Sequence, residues 1–424
     1  MIELKQKRKK RRVFRISLKV MFCILIMLTT PSFIAIRLGI FLTSNPPTDL
    51  VLVNFSSCDP QSEAMLSWNS ALVEPTELWI GTESNNLTAY PTINNSDATG
   101  PGTIHRVHVR NLTAGQKYYY RTSLSGRIGS FSTAPSIAGS SFHALLASDT
   151  QYFYFNGYYE RIAQMVGKDP DPAFFMIAGD LVDQGTLLEA WNHFLEKSRP
   201  WISKTPLVPV AGNHEEIQEP DSYYWDYMGP ETVDSFGNRT YYAFNWSNAL
   251  FISMEIANGG HEDMSTPLQA DQLSWLQTTL ANGMSQDFRV VMFHRPVFSP
   301  MSHGIVYQST LTTVVPVMEA YNVSLVIYGH DHIYGRYRYN NITYLCHGCG
   351  GGLNNQLIYI PSQEEIDQVV PGLEIQRLSS VPAITKLDFS NTSLTITTTS
   401  VDNIQFDSTT LEVLTPGHLT REVS

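Results

Sequence analysis

Five short apolar runs between residues 145 and 332 each stop at a residue type that binds cations. "LLAS" runs into Asp149, "FMIAG" into Asp180, and "VPVAG" into Asn213-His214-Glu215. "VVMF" ends in His294, and "LVIYG" in His330-Asp331-His332. Runs of this length, bounded by Gly and polar residues, predict buried strands. "FHALLAS", "AFFMIAG", "PLVPVAG", "ALFISME", "FRVVMFH", "VSLVIYG" and "ITYLCHG" all fit, with helix-length segments such as "GYYERIAQMVGK" and "PLQADQLSWLQTTLANG" between them. The pattern predicts an α/β architecture with a largely buried sheet, in which ligands gather at the carboxyl ends of strands. Taken singly, an Asp after Gly caps a helix and a His after an apolar run packs into a core. Five such residues along one edge describe a site.

Imidazole, carboxylate and amide oxygen together suit zinc, iron or manganese. There are too many ligands here for one tetrahedral ion. Two ions bridged by one carboxylate use them all, and Asp180 can serve as the bridge with one oxygen to each. A pair of ions about 3.5–4 Å apart activates water and clamps a phosphoryl oxygen. No Ser-His-Asp order, nucleophile elbow or glycine-rich nucleotide loop offers another chemistry.

The motifs "SDT", "GDLVDQG", "GNHE", "VMFHRPVFS" and "GHDHIYGR" occur in the order and spacing of one family. The chain resembles the calcineurin-like metallophosphoesterases, in the purple acid phosphatase branch, over roughly residues 46 to 400. The resemblance implies a four-layer β-sandwich flanked by helices, preceded by an all-β fibronectin III-like sandwich. It implies a first metal held by Asp149, Asp180 and His332, and a second held by Asp180, Asn213, His294 and His330. His214 would face the substrate as acid or transition-state stabiliser. His303 falls where the family places a substrate-contacting histidine, with a solvent-exposed loop histidine as the alternative, and Arg336 where it has an arginine, with a structural ion pair as the alternative.

Two positions depart from the branch. Purple acid phosphatases carry a tyrosine three residues after the bridging acid, and its bond to ferric iron gives the colour; here that residue is Asp183. The wider family has a histidine two residues after the first acid; here it is Gln151. The resemblance therefore implies a first site with Gln151 as a weak ligand through its amide oxygen or through water. Asp183 would orient a ligand or water. The expected cofactors are two metal ions, iron, zinc or manganese, in a protein that is not purple.

Upstream of the α/β part, "AMLSWNS", "TELWIGT", "IHRVHVRNL" and "KYYYRTSL" predict short strands in residues 46–135, with Trp68 as a core aromatic. "NLTAGQKYYYRT" has the layout in which a tyrosine ties down a sandwich corner. A linker, "FSTAPSIAGSS", leads into a domain at 140–424 that closes with "AITKLDFS" and "SLTITTTS". Residues 1–45 carry ten Lys/Arg and one acid, and an uncharged stretch at 20–36. They read as a cytoplasmic basic tail with a signal anchor, or as a signal peptide. The expectation is a single-pass type II membrane protein or a secreted one, with its catalytic domain extracellular or lumenal. Nine Asn-X-Ser/Thr sequons, at Asn54, Asn86, Asn94, Asn111, Asn238, Asn245, Asn322, Asn341 and Asn391, agree with export.

Residues 46–424 hold 18 basic against 38 acidic residues, which excludes nucleic acid as a natural partner. "CHGC" at 346–349 reads as half a zinc site, a redox pair, a disulfide partner or buried thiols. The expected function is a dinuclear-metal hydrolase of phosphate monoesters, acting on a small molecule or a phosphoprotein. A phosphodiesterase and a non-catalytic surface protein are the alternatives.

Overall fold

The computed structural model describes residues 49–423, apart from 57, 71–75, 92–102, 124–125, 137–138, 152–156, 216–221, 230–240, 257–269, 302–303, 352–359 and 416–418. The basic N-terminus, the apolar stretch at 20–36 and His303 lie outside the described residues. Among the described residues no helix is long and apolar enough to cross a membrane.

All seven predicted apolar runs form strands, and they divide between two sheets. In the ten-stranded sheet, Phe142–Ala147, Phe175–Ala178 and Leu207–Val210 lie side by side and parallel. In the seven-stranded sheet, Ala249–Ser253, Phe288–Met292, Leu325–Tyr328 and Ile342–His347 do the same. Strand side chains alternate between faces, so each run feeds two cores. Leu146, Met176 and Val208 point to one core, shared with Phe251, Val290, Met292, Ile327 and Leu345 of the other sheet. Leu145, Phe175, Ile177 and Leu207 face the opposite way, against helices Tyr158–Lys168 and Leu188–Lys197. Ile252, Val291, Val326 and Tyr328 are covered by Leu276, Leu280 and Met318 from helices Ala270–Asn282 and Val315–Ala320. Helix, sheet, sheet and helix make the four expected layers. This explains why the runs are continuously apolar: both faces of each sheet are buried.

The N-terminal β domain has two parts. Leu78–Glu83, Asn86–Tyr90, Lys117–Thr122 and Gly129–Ser132 form a four-stranded sheet. Val51–Asn54, Ala64–Ser70 and Thr103–Val109 instead extend the ten-stranded sheet, through parallel pairing of Asn54 with Leu207. Polar side chains reinforce that seam. Asn54 donates to the Tyr227 carbonyl, the Tyr227 hydroxyl donates to Asn69, and Asn69 donates to Asn192. Trp68 is in the core, as expected, and Tyr118 ties the corner by accepting the Thr113 N–H at 2.9 Å. Asn54 itself is fully buried, so its sequon is closed to a glycan. Cys58, Cys346 and Cys349 are free, buried thiols. Burial pushes Cys349 up to about 12 and raises the other two, which makes them poor nucleophiles and poor metal ligands.

Beyond the seven runs, the closing strands at Ala383–Phe389 and Ser393–Ser400 are followed by Gln405–Thr415 and Leu419–Val423, which complete one edge of the ten-stranded sheet. Arg336 joins this edge to the other sheet. Its Nε and Nη2 donate to the two Asp407 oxygens at 2.8 and 2.9 Å, its Nη1 donates to Glu422, and Tyr334 donates to Asp407 at 2.7 Å. The guanidinium is thus engaged in a structural ion-pair network rather than with a substrate. Burial raises the Asp407 carboxyl, but Arg336 and Tyr334 outweigh it and the net direction is down.

Replacing Arg336 by Met leaves the Asp407 carboxylate without its cation, while Glu422 keeps Arg338 at 4.0 Å, and we expect a loss of about 2–4 kcal/mol in urea unfolding at neutral pH. Because the folded pKa of Asp407 lies below its unfolded value, the network's stabilisation is present above about pH 4. The gap between wild type and Arg336→Met should therefore narrow as pH falls below that.

Candidate metal centre

The carboxyl ends of the two parallel strand sets meet. The ten-stranded sheet brings Asp149, Gln151, Asp180, Asn213 and His214; the seven-stranded sheet brings His294, His330 and His332. Backbone turns aim these side chains inward. Asp149, Asp180 and His330 adopt positive φ of 55°, 52° and 71°, a left-handed conformation that costs a non-glycine residue about 1–2 kcal/mol. Hydrogen bonds hold the turns in place. The His330 N–H donates to both Asp149 oxygens at 3.0 Å, the Asp149 N–H to the Gly179 carbonyl, and the Gln151 N–H to the Asp180 carbonyl. Close approach explains the glycines beside the acids. A Cβ on Gly212 would sit 2.1 Å from Asp180 Oδ1, and one on Gly329 2.2 Å from Asp149 Oδ2.

Two sets of ligand atoms result, each within 4.8 Å of one another: Asp180, His294 and His330, and Asp149, Asp180 and His332. Asp180 is common to both. Asn213 Oδ1 lies 3.0 Å from His294 Nε2 and 2.8 Å from His330 Nδ1, which adds it to the first set. His332 Nε2 is 3.3 Å from Asp149 Oδ1. Gln151 Nε2 donates to Asp180 Oδ2 at 3.2 Å, while its Oε1, fully buried, has no hydrogen-bond partner among the described residues. Buried carbonyl oxygens are rarely left so. The orphan oxygen, the close-packed acceptors and the mixed N/O donors all fit a cation pair.

The surrounding groups set protonation. The His294 Nδ1–H donates to the Ala178 carbonyl at 2.9 Å, which leaves Nε2 free to ligate. Burial would lower His294, but Asp180 and Asp149 overcome it and bring the ring to about 9 in the metal-free protein. His330 goes the other way, to about 3, through burial and the neighbouring His294 charge. Against the effect of burial, Asp180 is held low by His294 and His214, and Asp149 by His332 and His294. A protonated His294 is therefore the counter-charge that cations would replace.

His214 stands at the rim. Its Nδ1–H donates to the Asp183 carbonyl at 2.7 Å, and its Nε2 faces Asp180 Oδ2 at 3.9 Å. Burial lowers its pKa, yet Asp180, the Asp183 carbonyl, Glu215 and the Asp183 charge outweigh that, and the net shift is upward. The Asp183 carboxylate is partly exposed and lies 3.9 Å from His214 Nδ1, outside both ligand sets.

Glu215 is a residue whose role the sequence reading did not identify. Fully buried, it accepts four backbone N–H bonds: Asp180 and Gly212 on Oε2 at 2.9 and 2.6 Å, Leu181 and Val182 on Oε1 at 2.8 and 3.1 Å. It clamps the Asp180 loop to the Asn213 loop. Burial and the Asp180 charge push its carboxyl up to about 7, while those N–H donors favour the ionised form. The available signal was an acid two residues after Asn213, on the same strand-end turn as the ligands.

Comparison with known proteins agrees with this arrangement. Residues 142–334 match the calcineurin-like phosphoesterase family, and residues 50–137 match the purple acid phosphatase N-terminal domain. Purple acid phosphatase 22 of Arabidopsis thaliana is 27% identical over 252 residues, 57% of this chain and 55% of that protein. Purple acid phosphatase 21 of the same plant is 26% identical over 249 residues, 56% of this chain and 54% of that protein. The chain spans about half the length of these curated relatives. The solved structure of purple acid phosphatase PPD1 from yellow lupin (Lupinus luteus) seeds superposes with a TM-score of 0.72 at 16% identity, covering 89% of this chain and 75% of that one. It shares the fold: an N-terminal β domain followed by an α/β metallophosphoesterase domain.

A Glu215→Gln variant keeps the shape but turns an amide NH2 toward two backbone donors, which loosens one of the two clamped loops. We expect metal affinity to fall about 10- to 100-fold, measured by elemental analysis after dialysis against graded manganese, with circular dichroism unchanged.

Proposed function

We propose that this chain, whose residues 142–334 match the calcineurin-like phosphoesterases and 50–137 the purple acid phosphatase N-terminal domain, hydrolyses phosphate monoesters at a dinuclear metal centre. The observation that carries the reading is Asp180, a buried carboxylate shared by two ligand sets that converge from two sheets. Asp149, Asp180 and His332 hold the first cation, with the orphan Gln151 oxygen as a further ligand. Asp180, Asn213, His294 and His330 hold the second. When bound, the cations supply an activated water and neutralise phosphoryl charge.

The chain's own residues do the rest. His214, kept protonated by its acidic surroundings and oriented by the Asp183 carbonyl, gives its Nε2 proton to the leaving alkoxide. Asp183 supports His214 through that carbonyl and does not ligate. His303 remains a candidate substrate contact. With Asp183 in place of a tyrosine, the site would lack the tyrosinate ligand and the iron-loaded protein would not be purple. The basic, apolar N-terminus and the acidic body fit a membrane-anchored or secreted protein whose site faces away from the cytoplasm. A phosphodiesterase would use the same ligands.

The test pairs elemental analysis with turnover of p-nitrophenyl phosphate and bis-p-nitrophenyl phosphate. Two ions per chain, metal-dependent turnover favouring the monoester, and no purple colour after iron loading are expected. Asp180→Asn should lower turnover by about a thousandfold or more. One ion or none, with no turnover under any metal, sinks the reading. His214→Ala should cost about 100- to 10,000-fold with an alkyl phosphate, whose leaving group needs a proton, and much less with p-nitrophenyl phosphate. Equal losses on the two esters would rule out His214 as the acid.

A further inference from the structure

The five-residue helix Tyr224–Met228 is held at both ends by other parts of the chain. An α-helix leaves its last four carbonyls without partners inside the helix. Here the N-terminal β domain supplies donors to three of them. Arg106 Nη1 donates to the Trp225 carbonyl, and Ser56 Oγ to the Met228 carbonyl at 2.8 Å. Asn54 Nδ2 and Ser67 Oγ both donate to the Tyr227 carbonyl, at 3.3 and 3.4 Å. The Tyr227 hydroxyl donates back to Asn69 at 2.8 Å. Asn54, Ser56, Ser67 and Asn69 are all buried, so these contacts are made in a dry seam.

The other end of the helix meets the loops of the metal centre. Just before it, the Tyr223 N–H donates to the Gly185 carbonyl at 3.0 Å, and Ser222 Oγ to the Glu215 carbonyl at 2.5 Å. Tyr227 stacks on Trp191 with ring centroids 5.1 Å apart, and the Trp191 indole N–H donates to the same Gly185 carbonyl at 2.9 Å. Gly185 in turn gives its N–H to the His214 carbonyl at 2.8 Å. The approach is close: a Cβ on Gly185 would sit 1.9 Å from the Glu215 carbonyl oxygen. The Glu215 side chain then clamps the Asp180 and Asn213 loops through four backbone N–H groups. A continuous series of directional contacts thus runs from the N-terminal domain to the backbone of Asp180. Close-packed interiors transmit strain, so a shift of the helix reaches these loops.

We propose that the N-terminal β domain belongs to the scaffold of the metal centre: Ser56 and Arg106, with Asn54 and Ser67, cap the helix Tyr224–Met228 and act through it as positioning residues for the loop that carries His214 and Glu215. Loosening the caps loosens that loop, and with it the Glu215 grip on Asp180. The effect on metal affinity rests on the metal-centre reading above; the effect on the Glu215 clamp does not.

The experiment compares the full wild-type chain with Ser56→Ala, Arg106→Met and Arg106→Lys. Tyr118→Phe serves as the control, because it weakens the same domain at its Thr113 corner. Amide hydrogen exchange is followed without metal at Asp180, Leu181, Val182 and Gly212, the donors to Glu215. Manganese content is measured after dialysis against graded manganese, and global stability by urea unfolding. Exchange at the four amides should rise about 3- to 10-fold in Ser56→Ala and in Arg106→Met, the factor that one lost hydrogen bond is worth. Arg106→Lys keeps a donor and should lie between wild type and Arg106→Met. Tyr118→Phe should lower urea stability and leave these amides unchanged. Manganese affinity should follow the exchange, falling about 3- to 10-fold in the two capping variants. Unchanged exchange in both capping variants overturns the proposal. So does an equal rise in Tyr118→Phe, which assigns the caps to global stability alone. Equal manganese affinity in wild type and capping variants also overturns it and leaves the metal-centre reading intact. No manganese bound by wild type, with exchange still responding to the caps, sinks the metal-centre reading and leaves the positioning of the clamp standing.

Discussion

The structure depends on a small set of hydrogen bonds that cross from one sheet to the other. The His330 N–H donates to the Asp149 carboxylate, and the His294 Nδ1–H donates to the Ala178 carbonyl. Asn213 stands between His294 and His330. Each joins a residue at a carboxyl end of the ten-stranded sheet to one at a carboxyl end of the seven-stranded sheet. Hydrophobic packing brings the sheets face to face without fixing their relative register, because dispersion and apolar burial are non-directional. These directional contacts align the edges, and aligned edges are what put donors from two separate sheets around Asp180.

This alignment concentrates cost in one place. Asp149, Asp180 and Glu215 are buried together, three site residues sit in left-handed backbone, and a carbonyl oxygen lacks a partner among the described residues. Strain and unsatisfied polarity of this kind gather at functional sites, and surrounding structure must hold them in place. Glu215 does much of the holding from beneath, and cations would offset the acids from above. The structure thus separates two jobs that one cluster of acids suggests in sequence. Asp149 and Asp180 face the cage, whereas Glu215 faces only backbone N–H groups.

The ligand set was legible because each member follows a run apolar on both faces, and such a run can only be a buried strand. The order of the motifs carried the rest. What stayed hidden depended on partners distant in sequence or on groups with no pattern. Arg336 meets acids 71 and 86 residues away, so its motif position left a structural ion pair and a site role both open, and the fold decides for the ion pair. The N-terminal strands read as a separate sandwich because their link to the larger sheet is a single pairing, Asn54 with Leu207. The "CHGC" thiols are buried in strand and turn, where a sequence spacing says nothing about accessibility.

The central claim is that Asp180 is shared by two cations. The most direct measurement is the electron paramagnetic resonance spectrum of the protein loaded with manganese(II). A shared carboxylate brings the two ions close enough to couple, so the account predicts an exchange-coupled spectrum that collapses to that of a lone ion in Asp180→Asn. Isolated, uncoupled manganese in the wild type, whatever its amount, would contradict it.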